Sequence, residues 1–264
     1  MIGAIIGDIA GSDYEFNPVS TYDFELFPSG SSFTDDSILT VAVGAALLEA
    51  GTEEAALAQA LIDAFHRYGA KYPTPKGAYG GRFSEWLRSG NREPYNSWGN
   101  GSAMRVSAVI DYARSLEEAE DLARITAAIT HNHEEGIKGA QATAAAGYLA
   151  RTGSPAAEIR EYISRAYGYD LTRTCTGLRA AGYGFEDSCQ KTVPESLIAF
   201  LEADDFESAI RNTIYLRGDA DTMGAITGAV AEQFFEVPQR FVNHARETVP
   251  KEFLEVIDAI EACR

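Results

Sequence analysis

"SSFTDDSILTVAVGAALL", residues 31–48, sets two adjacent acids, Asp35 and Asp36, at the head of a run that is apolar on every side. At helical spacing Ile38, Ala42, Ala45 and Leu48 share one face, and Leu39, Val43 and Leu47 share another. A helix that is apolar all round belongs inside a protein. A second stretch, "RGDADTMGAITGAVAEQFF", residues 217–235, repeats the device. There Asp219, Asp221 and Thr222 precede Met223, Ile226, Val230 and Phe234 at helical spacing, interleaved with Gly224, Gly228 and Ala229. Small residues let such a helix pack closely against others. Both stretches therefore predict an internal helix with two carboxylates and a threonine at its N-terminus.

The chain around them reads as helical too. "LTVAVGAALLEAG" ends at Gly51, and Thr52 is placed to cap "EEAALAQALIDAFHRYG". Ser115 and Glu118 have capping-box spacing ahead of "AEDLARITAAIT". Ser154 and Pro155 start "AAEIREYISRAYG", Thr192 and Glu195 bracket Pro194 before "SLIAFLEA", and Pro238 and Pro250 stand near the starts of the last two helices. Hairpin signals are scarce. Residues 71–102 and 168–191 read as long loops, which inside a compact fold are usually functional. The expectation is one all-α domain over 1–264, a compact bundle with a buried central helix layer.

Of the 264 residues 45% are hydrophobic and 23% charged, which suits a globular protein. The net charge of −17 opposes binding to nucleic acid or to an anionic membrane. Three cysteines with no metal spacing, no basic leader before the apolar "MIGAIIG" and no long uncharged stretch lead us to expect a cytoplasmic protein with reduced thiols.

Asp is a favoured N-cap, and one carboxylate per helix satisfies that role. Two per helix, twice, leave buried anions that need countercharge. Carboxylates and hydroxyls without Cys or His suit a hard cation, Mg²⁺ or Mn²⁺, rather than Zn²⁺. Capping and cation binding are the two readings the residues themselves leave open. Elsewhere, "SWGNGSAMRV" (97–106) offers backbone N–H groups of a glycine-rich turn leading into a helix near Ala103, a place for phosphate or an ordinary turn.

Taken together, "FTDDS" (33–37), "GDADT" (218–222), "GDIAGSDYE" (7–15) and "GNGSAMR" (99–105) resemble the signatures of the ADP-ribosylglycohydrolase family, in family order. The resemblance implies an orthogonal all-α bundle with a binuclear Mg²⁺ or Mn²⁺ centre at the ends of buried helices. The metal ligands it implies are Thr34, Asp35, Asp36, Asp219, Asp221 and Thr222, with Asp36, Asp221 and Glu15 carrying the chemistry. Glu15 would lie in a mobile segment over the metals and position water or handle a proton. Trp98, Gly99, Asn100, Gly101, Ser102 and His131 would hold ADP-ribose, and Tyr183 to Phe185 offers a platform for adenine or plain core packing. Arg105 is open between phosphate and carboxylate partners, and His133 is expected on the surface. Two departures stand out: Ser37 where Thr is commoner, and Arg217 where many members carry glycine. The implied activity is metal-dependent release of ADP-ribose from an ADP-ribosylated protein or other acceptor. "GSDYE" leans towards O-linked acceptors. A non-catalytic protein on the same fold, or a hydrolase of another nucleotide or glycosidic substrate, are the alternatives.

Overall fold

A computed structural model of the chain describes residues 1–264. It contains fourteen α-helices and no β-strand. They are α1 (Ile2–Gly11), α2 (Asp35–Ala50), α3 (Glu54–Lys71), α4 (Gly81–Ser89), α5 (Ser107–Tyr112), α6 (Leu116–Ala128), α7 (Glu134–Arg151), α8 (Ala156–Tyr167), α9 (Cys175–Ala180), α10 (Cys189–Leu201), α11 (Phe206–Tyr215), α12 (Ala220–Phe234), α13 (Gln239–Thr248) and α14 (Lys251–Glu261). The apolar core runs without a break from Met1 to Ile260. No helix is long and apolar enough to cross a membrane.

The centre of the bundle is the pair α1 and α12, and glycine makes it possible. A Cβ on Gly3 would lie 2.4 Å from the Gly228 carbonyl oxygen, one on Gly7 1.9 Å from that of Gly224, and one on Gly11 2.2 Å from that of Ala220. Spaced four apart, these residues form one face of α1 on which the two backbones touch. Every residue of α1 is buried. Its only charge, Asp8, follows directly on Gly7, and Asp221 of α12 follows directly on Ala220. The close crossing thus carries two carboxylates into the interior together.

Local signals set most helix ends. Thr34 caps α2, its Oγ1 accepting from the Asp36 N–H at 3.1 Å. Ser115 caps α6, accepting from the Glu118 N–H. The Glu118 carboxylate reaches back one residue further than a capping box requires, to the Arg114 N–H. Pro155, Pro238 and Pro250 precede α8, α13 and α14.

Several boundaries differ from the sequence reading. Glu53, not Thr52, caps α3, its carboxylate accepting from the Ala55 and Ala56 N–H groups. Both expected loops contain a helix, α4 and α9. The glycine turn winds into a 3₁₀ turn at Asn100–Ser102, and α5 begins only at Ser107. α10 starts before Pro194 because distant backbone anchors its first residues. The Cys189 N–H donates to the Trp98 carbonyl at 2.9 Å, and Gly99 and Ser188 form an isolated bridge. Arg217 adopts φ +67°, so the loop before α12 keeps a glycine-like backbone although the residue is arginine. Arg217→Gly should therefore stabilise the protein by about 0.5–1 kcal/mol, read as a small rise in melting temperature.

Candidate active site

The N-termini of α2 and α12 converge on one cavity of about 300 Å³. Glu15, Asp35, Asp36, Asp219, Asp221 and Thr222 line one end of it, and Gly99, Asn100, Gly101 and His131 line another wall. The structure thus brings together acids from residues 8–36 and 219–221, far apart in the chain.

Capping does not occupy the acids. Thr34 is the cap of α2, and Asp219 at the cap position of α12 makes no side-chain capping bond. Instead Asp219 Oδ2 accepts from Asn100 Nδ2 at 2.7 Å. Asn100 also donates to Thr192 Oγ1, so it ties the glycine turn to both α10 and α12. Asp221 Oδ1 accepts from the neighbouring Thr222 N–H at 3.0 Å.

Asp8 is the residue that sequence reasoning missed. It is fully buried and accepts from the Thr34 N–H at 3.0 Å, from Thr34 Oγ1 at 2.8 Å and from the Ser37 N–H at 3.1 Å. The Ser37 hydroxyl also donates to it, so serine at this position keeps the bond that threonine would make. The signal was present: Asp8 is the one charge in "IGAIIGDIAG", and a lone acid inside an apolar helix seldom lacks a task.

Oxygens of Asp8, Asp36 and Asp221 all lie within 4.8 Å of one another, and so do those of Glu15, Asp219 and Asp221. Two groups of three carboxylates therefore share Asp221. No basic side chain forms an ion pair with these acids. Lys76 pairs with Asp13, and Arg105 donates to Thr126 O and Thr130 Oγ1, each at 2.8 Å. Burial first, then the neighbouring anions, pushes Asp35, Asp36 and Asp221 well above the usual carboxylate range. Burial likewise raises Asp8 and Asp219 to about 6, and burial with Asp221 and Asp8 raises Glu15 to about 8.

Two details fit a cation rather than a merely protonated cluster. Asp36 Oδ1 is buried with no hydrogen-bond partner. Thr34 Oγ1 lies 2.8 Å from Asp8 Oδ1 and 3.1 Å from Asp36 Oδ2, yet has one proton to give. A positive ion between the carboxylates satisfies what the hydroxyl and the orphaned oxygen leave unmet. An all-oxygen donor set would suit a hard divalent ion.

Glu15 is half-buried over this cluster, and Gly77 at φ +76° leaves it room. A Cβ there would lie 3.1 Å from Glu15 Oε2. Lys76 holds the segment before Glu15, donating to Asp13 Oδ1 and to the Gly30 carbonyl, both at 2.6 Å. Thr34 backs the acids without lining the cavity, and Ser102 does not line it either, its hydroxyl being committed to the Gly136 carbonyl at 2.7 Å. Trp98 stands outside the cavity wall, 47% exposed, its ring edge-on to His133. His133 caps α7, accepting from the Glu135 N–H, and is half-buried rather than a plain surface residue. Phe185 lines the cavity and stacks on Phe16 at 6.4 Å, whereas the Tyr183 hydroxyl donates to the Lys191 carbonyl behind it. Arg105 lines the cavity and pairs with no carboxylate. Fully buried, it lies 4.6 Å from the Phe65 ring centroid.

The family model described as ADP-ribosylglycohydrolase matches residues 1–261. Mouse ADP-ribosylhydrolase ARH3 is 25% identical, over 90% of this chain and 83% of its own. The ADP-ribosylarginine hydrolase Tri1 of Pseudomonas putida (strain GB-1) is also 25% identical, over 90% of this chain and 70% of its own. A solved chain from an "ADP-ribosylglycohydrolase-related protein complex" superposes with a TM-score of 0.69 at 23% identity, over 99% of this chain and 94% of that one, a likeness of fold.

Proposed function

The chain belongs to the ADP-ribosylglycohydrolase family, and from that premise we propose that it is a metal-dependent hydrolase releasing ADP-ribose from an ADP-ribosylated acceptor. Its whole length, 1–264, would serve as one such domain. The observation that carries the reading is the pair of three-carboxylate groups sharing Asp221 at one end of a cavity whose other wall is the glycine turn.

Asp8, Asp36 and Asp221, and Glu15, Asp219 and Asp221, with Thr34, Asp35 and Thr222 beside them, would hold two divalent cations, Mg²⁺ or Mn²⁺. When bound, these supply Lewis-acid polarisation and fixed positive charge beside the anomeric carbon. The remaining work falls to side chains and backbone. Gly99, Asn100, Gly101 and Ser102, with His131 and Trp98, bind the diphosphate and distal ribose, fixing the reacting ribose over the acids. Asn100 couples this grip to Asp219. Glu15 orients the attacking water, takes its proton at the carboxylate and gives a proton to the leaving acceptor atom as the glycosidic bond opens through an oxocarbenium-like state. The expected location is the cytoplasm, and the expected partner is an ADP-ribosylated protein.

The test is a panel of serine-, arginine- and polymer-linked ADP-ribose with released ADP-ribose measured, with and without chelator. Release should require Mg²⁺ or Mn²⁺, and Asp221→Asn should lower kcat by at least about 100-fold while the fold persists. Tight ADP-ribose binding without turnover on any linkage would leave a non-catalytic binder. Failure to bind ADP-ribose in the presence of metal would leave a hydrolase of another substrate.

A further inference from the structure

His131 sits at the junction of α6 and α7 with its ring wedged beneath the glycine turn. Nε2 would be 3.4 Å from a Cβ on Gly101 and 3.5 Å from one on Gly99. It makes no hydrogen bond to the protein on that side, where the ring lines the cavity. Nδ1, on the other side, lies 2.8 Å from Thr130 Oγ1. That hydroxyl is in turn 2.8 Å from Arg105 Nη2.

The order of this chain decides where the protons are. A guanidinium only donates and does not lose its charge in a protein, so Thr130 Oγ1 must accept from Arg105. The hydroxyl keeps one proton, and Nδ1 is the acceptor aligned with it. Tyr95, hydrogen-bonded to Thr130, stays protonated to about 12 and so has a phenol proton of its own to donate to Thr130 Oγ1, leaving the Thr130 proton for Nδ1. If the hydroxyl proton goes to Nδ1, the ring's own proton resides on Nε2, facing the glycine turn. We propose that Arg105 and Thr130 are positioning residues that hold His131 in the Nε2–H tautomer, making it a fixed hydrogen-bond donor to a phosphate oxygen seated on the Gly99–Gly101 turn.

Burial and the charge of Arg105 also drive His131 well below its usual pKa, so the ring stays neutral and the tautomer, not protonation, determines what it offers. The buried arginine thereby has a use without a carboxylate partner: it polarises a relay. The inference concerns the tautomer directly, and its second half rests on the ADP-ribose reading above.

The long-range ¹H–¹⁵N spectrum of ¹⁵N-histidine-labelled protein tests it, with the His131 signals identified by their loss in His131→Asn. An Nε2–H pattern, unchanged from pH 6 to 8, is expected. Thr130→Val keeps the side-chain shape and removes the hydroxyl. It should shift His131 towards the other tautomer and weaken ADP-ribose binding by roughly 10- to 100-fold, the loss of one hydrogen bond to a charged group. Thr130→Ser should restore both, a rescue that a purely structural role for the methyl group would not produce. An Nδ1–H or doubly protonated ring in the unmodified protein overturns the proposal, as does an unchanged tautomer in Thr130→Val. A changed tautomer with unchanged affinity overturns the donor role. An Nε2–H tautomer in a protein that does not bind ADP-ribose would sink the functional reading and leave the relay standing. The spectrum of the unmodified protein decides the tautomer even if Thr130→Val does not fold.

Discussion

Mg²⁺ or Mn²⁺ added to chelator-treated protein at pH 8 will raise its melting temperature by about 10 °C, as expected for a ligand at roughly a thousand times its Kd acting on a chain of this size. At pH 5 the rise will be much smaller. The reason lies in the raised carboxylates. Burial holds Asp8 and Asp219 at about 6 in the folded protein, against about 3.9 in an unfolded chain, and Asp35, Asp36 and Asp221 are likewise raised by burial and the neighbouring anions. Between those limits the folded state binds more protons than the unfolded one. The cluster's contribution to the stability of the metal-free protein is therefore greatest below the unfolded value and falls as pH rises through about 6 and beyond. At pH 8 the cluster is a set of buried anions, and a cation relieves it. At pH 5 protons already do so and compete for the same oxygens. Asp36→Asn should accordingly stabilise the metal-free protein at pH 8 and shrink its response to metal. Differential scanning fluorimetry across pH, with and without chelator, measures both. A shift that is absent, or equal at pH 5 and pH 8, would falsify the cation reading.

Gly7→Ala will destabilise the protein by about 3 kcal/mol or more, a fall in melting temperature of about 6–12 °C. The added methyl would lie 1.9 Å from the Gly224 carbonyl oxygen, which is backbone and cannot rotate away. Either the helices separate or the variant does not fold. Separation moves Asp8 relative to Asp221, so metal-induced stabilisation should fall along with overall stability. Gly51→Ala supplies the contrast. A Cβ there meets nothing within 4 Å, and the loss comes only from its φ of +70°. That variant should melt lower by a smaller margin yet respond to metal as the parent does.

The acids at the head of α2 and α12 were legible because they violate a local rule. Two charges at the start of an all-round apolar helix need an explanation, and the same pattern recurs at Asp219 and Asp221. The cap at Ser115 and the prolines before α8, α13 and α14 were legible because their effects span one turn or less, whereas the cap of α2 fell to Thr34 and not to the aspartates read for it. The start of α10 was not, since it depends on the Trp98 carbonyl some ninety residues away. Asp8 was passed over because its four donors, from Thr34 and Ser37, lie beyond a bend of the chain.

By itself the sequence determined that the protein is helical, that its central helices are buried and that four aspartates stand at their ends, because periodicity, capping and repulsion between neighbours act over a few residues. That Asp8 joins them was decided only in three dimensions. It depends on where α1 crosses α12, and that crossing is set by glycines 3, 7 and 11 meeting residues 228, 224 and 220 at backbone contact.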